Sequence, residues 1–102
     1  MKIRKTKEGN FIIISIEGEM DAYAAESFDL EAAGLLKDDK DVIVDFAKLQ
    51  YISSSGLRAI ISLREALGKA KKRLVLKSLK GKVLEVFRVS KLLDIFEIEE
   101  GA

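Results

Sequence analysis

The 102-residue chain contains no cysteine, no histidine and no proline. Without cysteine there are no disulfides and no thiolate chemistry. Without histidine the usual general base, the usual metal ligand and the Ser-His-Asp triad are missing. Asp and Glu remain, so carboxylate chemistry survives that exclusion. Without proline, the glycines and charge clusters punctuate the chain. Charge of one sign is lacking as well: 18 basic residues stand against 17 acidic ones, a net charge of +1. Such a balance creates no large field to draw in nucleic acid or an anionic membrane. No apolar run nears the roughly 20 residues of a membrane span. Met1-Lys2-Ile3-Arg4 lacks the apolar stretch of a secretory leader. A cytoplasmic protein with no nucleic-acid or membrane partner is expected.

Apolar residues make up 48% of the chain, enough to pack the core of one domain over residues 1–102. Lys2 to Lys7 reads as a first strand and Glu8-Gly9-Asn10 as a hairpin turn. Phe11 to Glu17 reads as a second strand, with Ile12, Ile14 and Ile16 on one face. Asp21 is a good N-cap for a helix from Ala22 to Leu36, whose inward stripe is Ala25, Phe28, Ala32, Leu35 and Leu36. Val42 to Phe46 is a nearly continuous apolar strand, a pattern that predicts burial on both faces. Ala47 to Ser53 reads as a loop. Ser54 or Ser53 then caps a helix to about Ala70, with Leu57, Ile60, Ile61, Leu63 and Leu67 inward. Leu74 to Leu76 is a strand and Gly81 to Val89 a helix, with Val83, Val86 and Phe87 inward. Ser90 would cap a last turn, and Ile95 to Ile98 would add an edge strand. The fold class predicted is α/β: a mixed four- to five-stranded sheet, an N-terminal hairpin followed by parallel strands, with helices mainly on one face.

In such a sheet, ligands and partners meet the edge outside the carboxyl ends of the parallel strands. Two segments leave strands there: Glu19-Met20-Asp21, and Tyr51-Ile52 followed by Ser53-Ser54-Ser55-Gly56-Leu57. Capping needs one serine and is worth about 1 kcal/mol. It does not account for three followed by glycine. The other reading is a phosphorylatable hydroxyl. A phosphate on Ser55 would lie in the first turn, where amides and dipole favour an anion, with Arg58 three residues on. It would change the charge and shape of an exposed surface without melting the helix.

Other features read as structural. Asp45, at the end of a strand, invites comparison with a receiver-domain phospho-acceptor, but the matching acid cluster is missing. It is expected to accept backbone amides of the following segment. The basic run Lys69 to Arg73 suits a solvated helix end, and no aromatics interleave it as stacking platforms. No Gly-rich phosphate loop of Walker or Rossmann spacing occurs. Ser53, not glycine, stands two before Ser55, so the Gly-x-Ser-x-Gly elbow is absent. No catalytic residues, metal or cofactor are expected, and an enzyme is not.

Three segments, Gly18-Glu19-Met20-Asp21, Val42-Ile43-Val44-Asp45-Phe46 and Ile52-Ser53-Ser54-Ser55-Gly56-Leu57-Arg58, resemble the signature of STAS domains, and of bacterial anti-sigma factor antagonists in particular. Val83-Leu84-Glu85-Val86-Phe87 through Leu92-Leu93 to Ile95-Phe96 resembles the family's C-terminal helix and tail. The resemblance spans nearly the whole chain. It implies that the residue before the glycine, Ser55, is phosphorylated by an anti-sigma factor that is itself a serine kinase. The unphosphorylated protein would bind that kinase and free a sigma factor, and a PPM-type serine phosphatase would reset it. Asp21, Ser53, Ser54, Gly56 and Arg58 are the implied partner-binding residues, with Leu57 packed beneath them. Many members carry Asp where this chain has Ser53, which removes a charge beside the switch and offers a rival hydroxyl. The alternative is a STAS-type scaffold or small-ligand module whose serine loop is only a helix cap. A monomer is expected, since the acidic tail disfavours strand pairing between chains.

Overall fold

Gly9 sits at φ +60°, a conformation only glycine adopts freely, and closes a tight reversal between β1 (Lys2–Glu8) and β2 (Phe11–Met20). The computed structural model describes residues 1–99. After the hairpin come α1 (Ala22–Leu35), β3 (Asp41–Ile52), α2 (Ser54–Lys69), β4 (Leu74–Lys77), α3 (Gly81–Val89) and β5 (Glu97–Glu99). The five strands form one sheet in the order β1-β2-β3-β4-β5. β1 and β2 are antiparallel and every later pair is parallel. The predicted mixed sheet is therefore the observed one.

One apolar core joins Ile12, Ile14 and Ile16 of β2 and Val42, Val44 and Phe46 of β3 to the inward residues of all three helices. Burying each large aliphatic or aromatic side chain here contributes about 1.5–3 kcal/mol relative to leaving it in water. The helices thus lie on one face of the sheet. That corrects the expectation of two-sided burial for Val42 to Phe46: Ile43 and Asp45 point to the uncovered face and are only half-buried.

Two strands outrun their sequence signals. β2 was expected to stop at Glu17 and runs to Met20. The expected loop from Ala47 is the second half of β3, which extends to Ile52. The register shifts twice along this pair, between Ser15 and Glu17 and between Gly18 and Glu19, and each shift adds one residue to β3. The inward residues then run Phe46, Leu49, Ile52, a spacing of three that breaks the two-residue alternation of a regular strand. Gly18, at φ +97°, absorbs the bend on β2.

Smaller corrections concern the helix ends. Leu36 is not on the buried stripe. It is the C-cap of α1 and exposed, and Lys72 Nζ donates to its carbonyl (3.1 Å) and to that of Asp38. Ser90 is the C-cap of α3, and its amide donates to the Val86 carbonyl at 3.0 Å. The edge strand is displaced to Glu97–Glu99, because Phe96 turns inward onto Phe87, which in turn meets Phe46 edge-on at 5.7 Å. Arg73 hydrogen-bonds Glu97 across the last two strands and holds its carboxyl below the ordinary glutamate range.

Candidate functional site

The two strand-to-helix junctions lie side by side at the carboxyl edge of the sheet. Met20 and Ile52 are register partners, and the Ser53 amide donates to the Met20 carbonyl at 2.9 Å. Each strand then turns directly into a capped helix. Asp21 Oδ1 accepts from the Ala24 amide (2.9 Å) and Ser53 Oγ from the Gly56 amide (3.1 Å). Both cap residues have extended backbone, as an N-cap requires.

The cap of α2 is thus Ser53, of the two candidates. Asp and Ser are comparably good N-caps. An Asp in this position would make the same bond, so Ser53 keeps the local structure and drops only the charge. Ser54 is exposed in the first helical position and Ser55 half-buried in the second. Among the described residues neither hydroxyl is a hydrogen-bond partner of another side chain. Ser53→Ala is expected to cost about 0.5–2 kcal/mol and Ser54→Ala close to nothing. Chemical denaturation of the two variants checks this, and equal losses would mean that the capping bond is not the one described.

Gly56 lets α2 approach this edge. A Cβ there would lie 2.7 Å from Ile52 Cγ1, 3.0 Å from Met20 Cγ and 3.1 Å from the Met20 carbonyl oxygen. The next residue, Leu57, is half-buried against the core, as expected. Ser55 and Arg58 line a shallow groove between α2 and α1, and Glu26 and Asp29 line it from the α1 side. Arg58 is exposed and, among the described residues, forms no ion pair. The structure therefore gathers Asp21, Ser53, Ser54, Ser55, Gly56 and Arg58 at one edge.

Met20 was placed at this edge, but its part as the floor of the Gly56 contact escaped the sequence, and so did the groove acids Glu26 and Asp29. Their spacing of three on α1 shows that they share a flank, but only the packing of α1 on α2 turns that flank toward Ser55.

The other candidates resolve as structural. Asp45 Oδ1 accepts from the Ala47 amide at 2.9 Å, where the first bulge begins. Within the basic run, Lys72 caps α1, and Arg73 pairs with Glu97 and lies 5.6 Å from the centre of the Phe11 ring. Among the described residues no group of three or more Asp or Glu side chains is placed to hold a metal ion. No helix there is long and apolar enough to cross a membrane.

A hairpin-led mixed sheet, helices on one face, and a serine-rich helix start beside a second capped helix define a small α/β module with its exposed polar edge at the strands' carboxyl ends. The chain belongs to the STAS domain family, whose model matches residues 2–101. It is 35% identical over 99 residues to BtrV of Bordetella bronchiseptica, assigned as an anti-sigma factor antagonist; the match covers 96% of this chain and 85% of that one. The anti-sigma-B factor antagonist of Staphylococcus aureus is 22% identical over 102 residues, covering 99% of this chain and 94% of that protein. The fold is similar to that of SpoIIAA, an anti-sigma factor antagonist solved in its unphosphorylated form, with a TM-score of 0.78 at 16% identity over 99% of this chain and 90% of that one.

Proposed function

We propose that the protein is an anti-sigma factor antagonist: it binds an anti-sigma factor that is also a serine kinase, frees a sigma factor, and is switched off by phosphorylation of Ser55. The observation that carries this reading is the Ser55 hydroxyl, left without a side-chain partner in the first turn of α2 while Ser53 does the capping. The curated relatives named as antagonists support it over nearly the whole chain. SpoIIAA is also described in a phosphorylated form.

Transfer would join Ser55 Oγ to the γ-phosphorus of ATP, break the bond to the β-phosphate and release ADP, with the hydroxyl proton passing to a base of the kinase. The nucleotide phosphates must then come within reach of Ser55, so the kinase pocket that receives this hydroxyl is itself anionic when loaded. A phosphoserine of −1.5 to −2 charge would be repelled from it. The same group stays tolerable in the free protein, because the α2 amides and Arg58 favour an anion there while Glu26 and Asp29 oppose it. Phosphorylation then ends binding without unfolding the helix. A PPM-type serine phosphatase would restore the binding form. The protein acts as a ligand and a kinase substrate rather than as an enzyme.

Incubation with purified anti-sigma kinases of the source organism and ATP, followed by mass spectrometry, is expected to find one phosphate, on Ser55. Phosphate on none of Ser53, Ser54 and Ser55 with any of them would overturn the switch and leave the serine run as a cap.

A further inference from the structure

Helix α1 turns Ala24, Ala25, Phe28, Ala32 and Leu35 inward. On its opposite side stand Tyr23 and Leu30, 84% and 79% exposed, the two most exposed large apolar residues of the described chain. Seven residues apart, they lie on one line, about 10 Å along the axis. A single exposed leucine is ordinary, but two aligned bulky residues on one helix form a ridge.

The charge on the helix itself has one sign. From Ala22 to Leu35 the helix carries Glu26, Asp29 and Glu31 and no Lys or Arg, in a chain whose overall charge is balanced. Glu31 pairs with Lys5 of β1. Among the described residues Glu26 and Asp29 form no ion pair. These two acids also line the groove that holds Ser55 and Arg58. The surface is thus continuous: from Ser55 across two carboxylates to an apolar ridge.

We infer that the outer face of α1 is the second half of the partner-binding surface. Tyr23 and Leu30 enter an apolar pocket of the anti-sigma factor, and Glu26 and Asp29 meet cationic side chains around its rim. The inference rests on the proposed function. The occupant follows from charge and continuity. The carboxylates of Glu26 and Asp29 repel the phosphates of nucleic acid and anionic lipid alike, and a partner seated over Ser55 comes against these two acids next. Interfaces of this kind have an apolar core inside a polar rim, and tyrosine is among the residues that most often carry the binding energy. The ridge works as a docking site remote from phosphoryl transfer, so it governs capture of the kinase rather than the chemical step.

The test uses the full chain and each purified anti-sigma kinase, by calorimetric titration and phosphorylation kinetics. Tyr23→Gln with Leu30→Gln is expected to weaken binding by about tenfold or more and to raise KM for Ser55 phosphorylation with kcat kept, at an unchanged melting temperature. Glutamine keeps the helix propensity high. Glu26→Gln with Asp29→Asn is expected to flatten the salt dependence of the Kd. Val89→Gln, at an exposed apolar position on α3, leaves affinity unchanged. Unaltered affinity of the Tyr23/Leu30 variant would overturn the inference and leave the proposed function standing. A wild-type protein that sediments as a dimer, and a Tyr23/Leu30 variant that does not, would also overturn it, assigning the ridge to a second copy. Wild-type protein that binds no anti-sigma factor would overturn both readings together.

Discussion

Ser55→Asp should lower affinity for the nucleotide-loaded anti-sigma kinase about a hundredfold, a change of roughly 2.7 kcal/mol, while moving the melting temperature by no more than about 3 °C. The two halves have separate causes. In the complex, a fixed carboxylate would face the nucleotide phosphates across the transfer distance, and like charges brought together in an interface cost several kcal/mol. In the free protein the same carboxylate sits in the second position of α2, beside amides that have no partner within the helix. The helix dipole favours it there by about 0.3–1 kcal/mol, and Glu26 and Asp29 across the groove offset that gain. Ser55→Ala removes the acceptor without the charge, so it should keep binding and resist phosphorylation. Titration calorimetry and thermal denaturation of both variants supply the readout. A large drop in melting temperature for Ser55→Asp would show that the hydroxyl is structural, and unchanged affinity would show that the edge does not enter the interface.

Gly56→Val should be the most damaging single change in the serine loop, costing about 3 kcal/mol and lowering the melting temperature by about 10 °C or more. The reason is steric. Gly56 has an ordinary helical backbone rather than a left-handed one, so conformation does not demand glycine. Helix propensity would favour a larger residue, by about 1 kcal/mol for alanine. Against that, a Cβ would stand 2.7 Å from Ile52 Cγ1 and 3.1 Å from the Met20 carbonyl oxygen. That carbonyl already accepts the Ser53 amide and cannot retreat without breaking the link between the two strand ends. Valine adds two methyl groups to the clash. Gly68, late in the same helix, is the contrast: nothing lies within 4 Å of a Cβ there, so the propensity gain is unopposed. A Gly56→Val protein with wild-type stability would mean that α2 does not dock on this edge.

The two changes divide the motif by role. Gly56 and Ser53 build the helix start, one by permitting close approach and the other by capping. Ser55, half-buried in the groove beside Arg58, takes neither of those two tasks. Ser54, which spacing alone placed level with Ser53 as a cap, does neither of the building tasks.

The sequence by itself determined the order of elements, the Gly9 hairpin, the parallel arrangement that follows and the edge where the site lies. Those features are written in local terms: alternating isoleucines, caps at Asp21 and in the serine run, helical stripes around Phe28 and Ile60. It did not show the full lengths of β2 and β3, because two bulges spread Phe46, Leu49 and Ile52 to a spacing of three, and the backbone there is held by a neighbouring strand rather than by local preference. One layer of helices was expected from the element order, but the run Val42 to Phe46, read by itself, pointed to burial on both faces, and the half-burial of Ile43 and Asp45 was not legible in it. Nor did the sequence show that Glu26 and Asp29 look onto Ser55, or that Tyr23 and Leu30 stand clear of the core. Those placements depend on how α1 packs against α2 and β2, contacts between residues distant in sequence, and only the tertiary structure decided them.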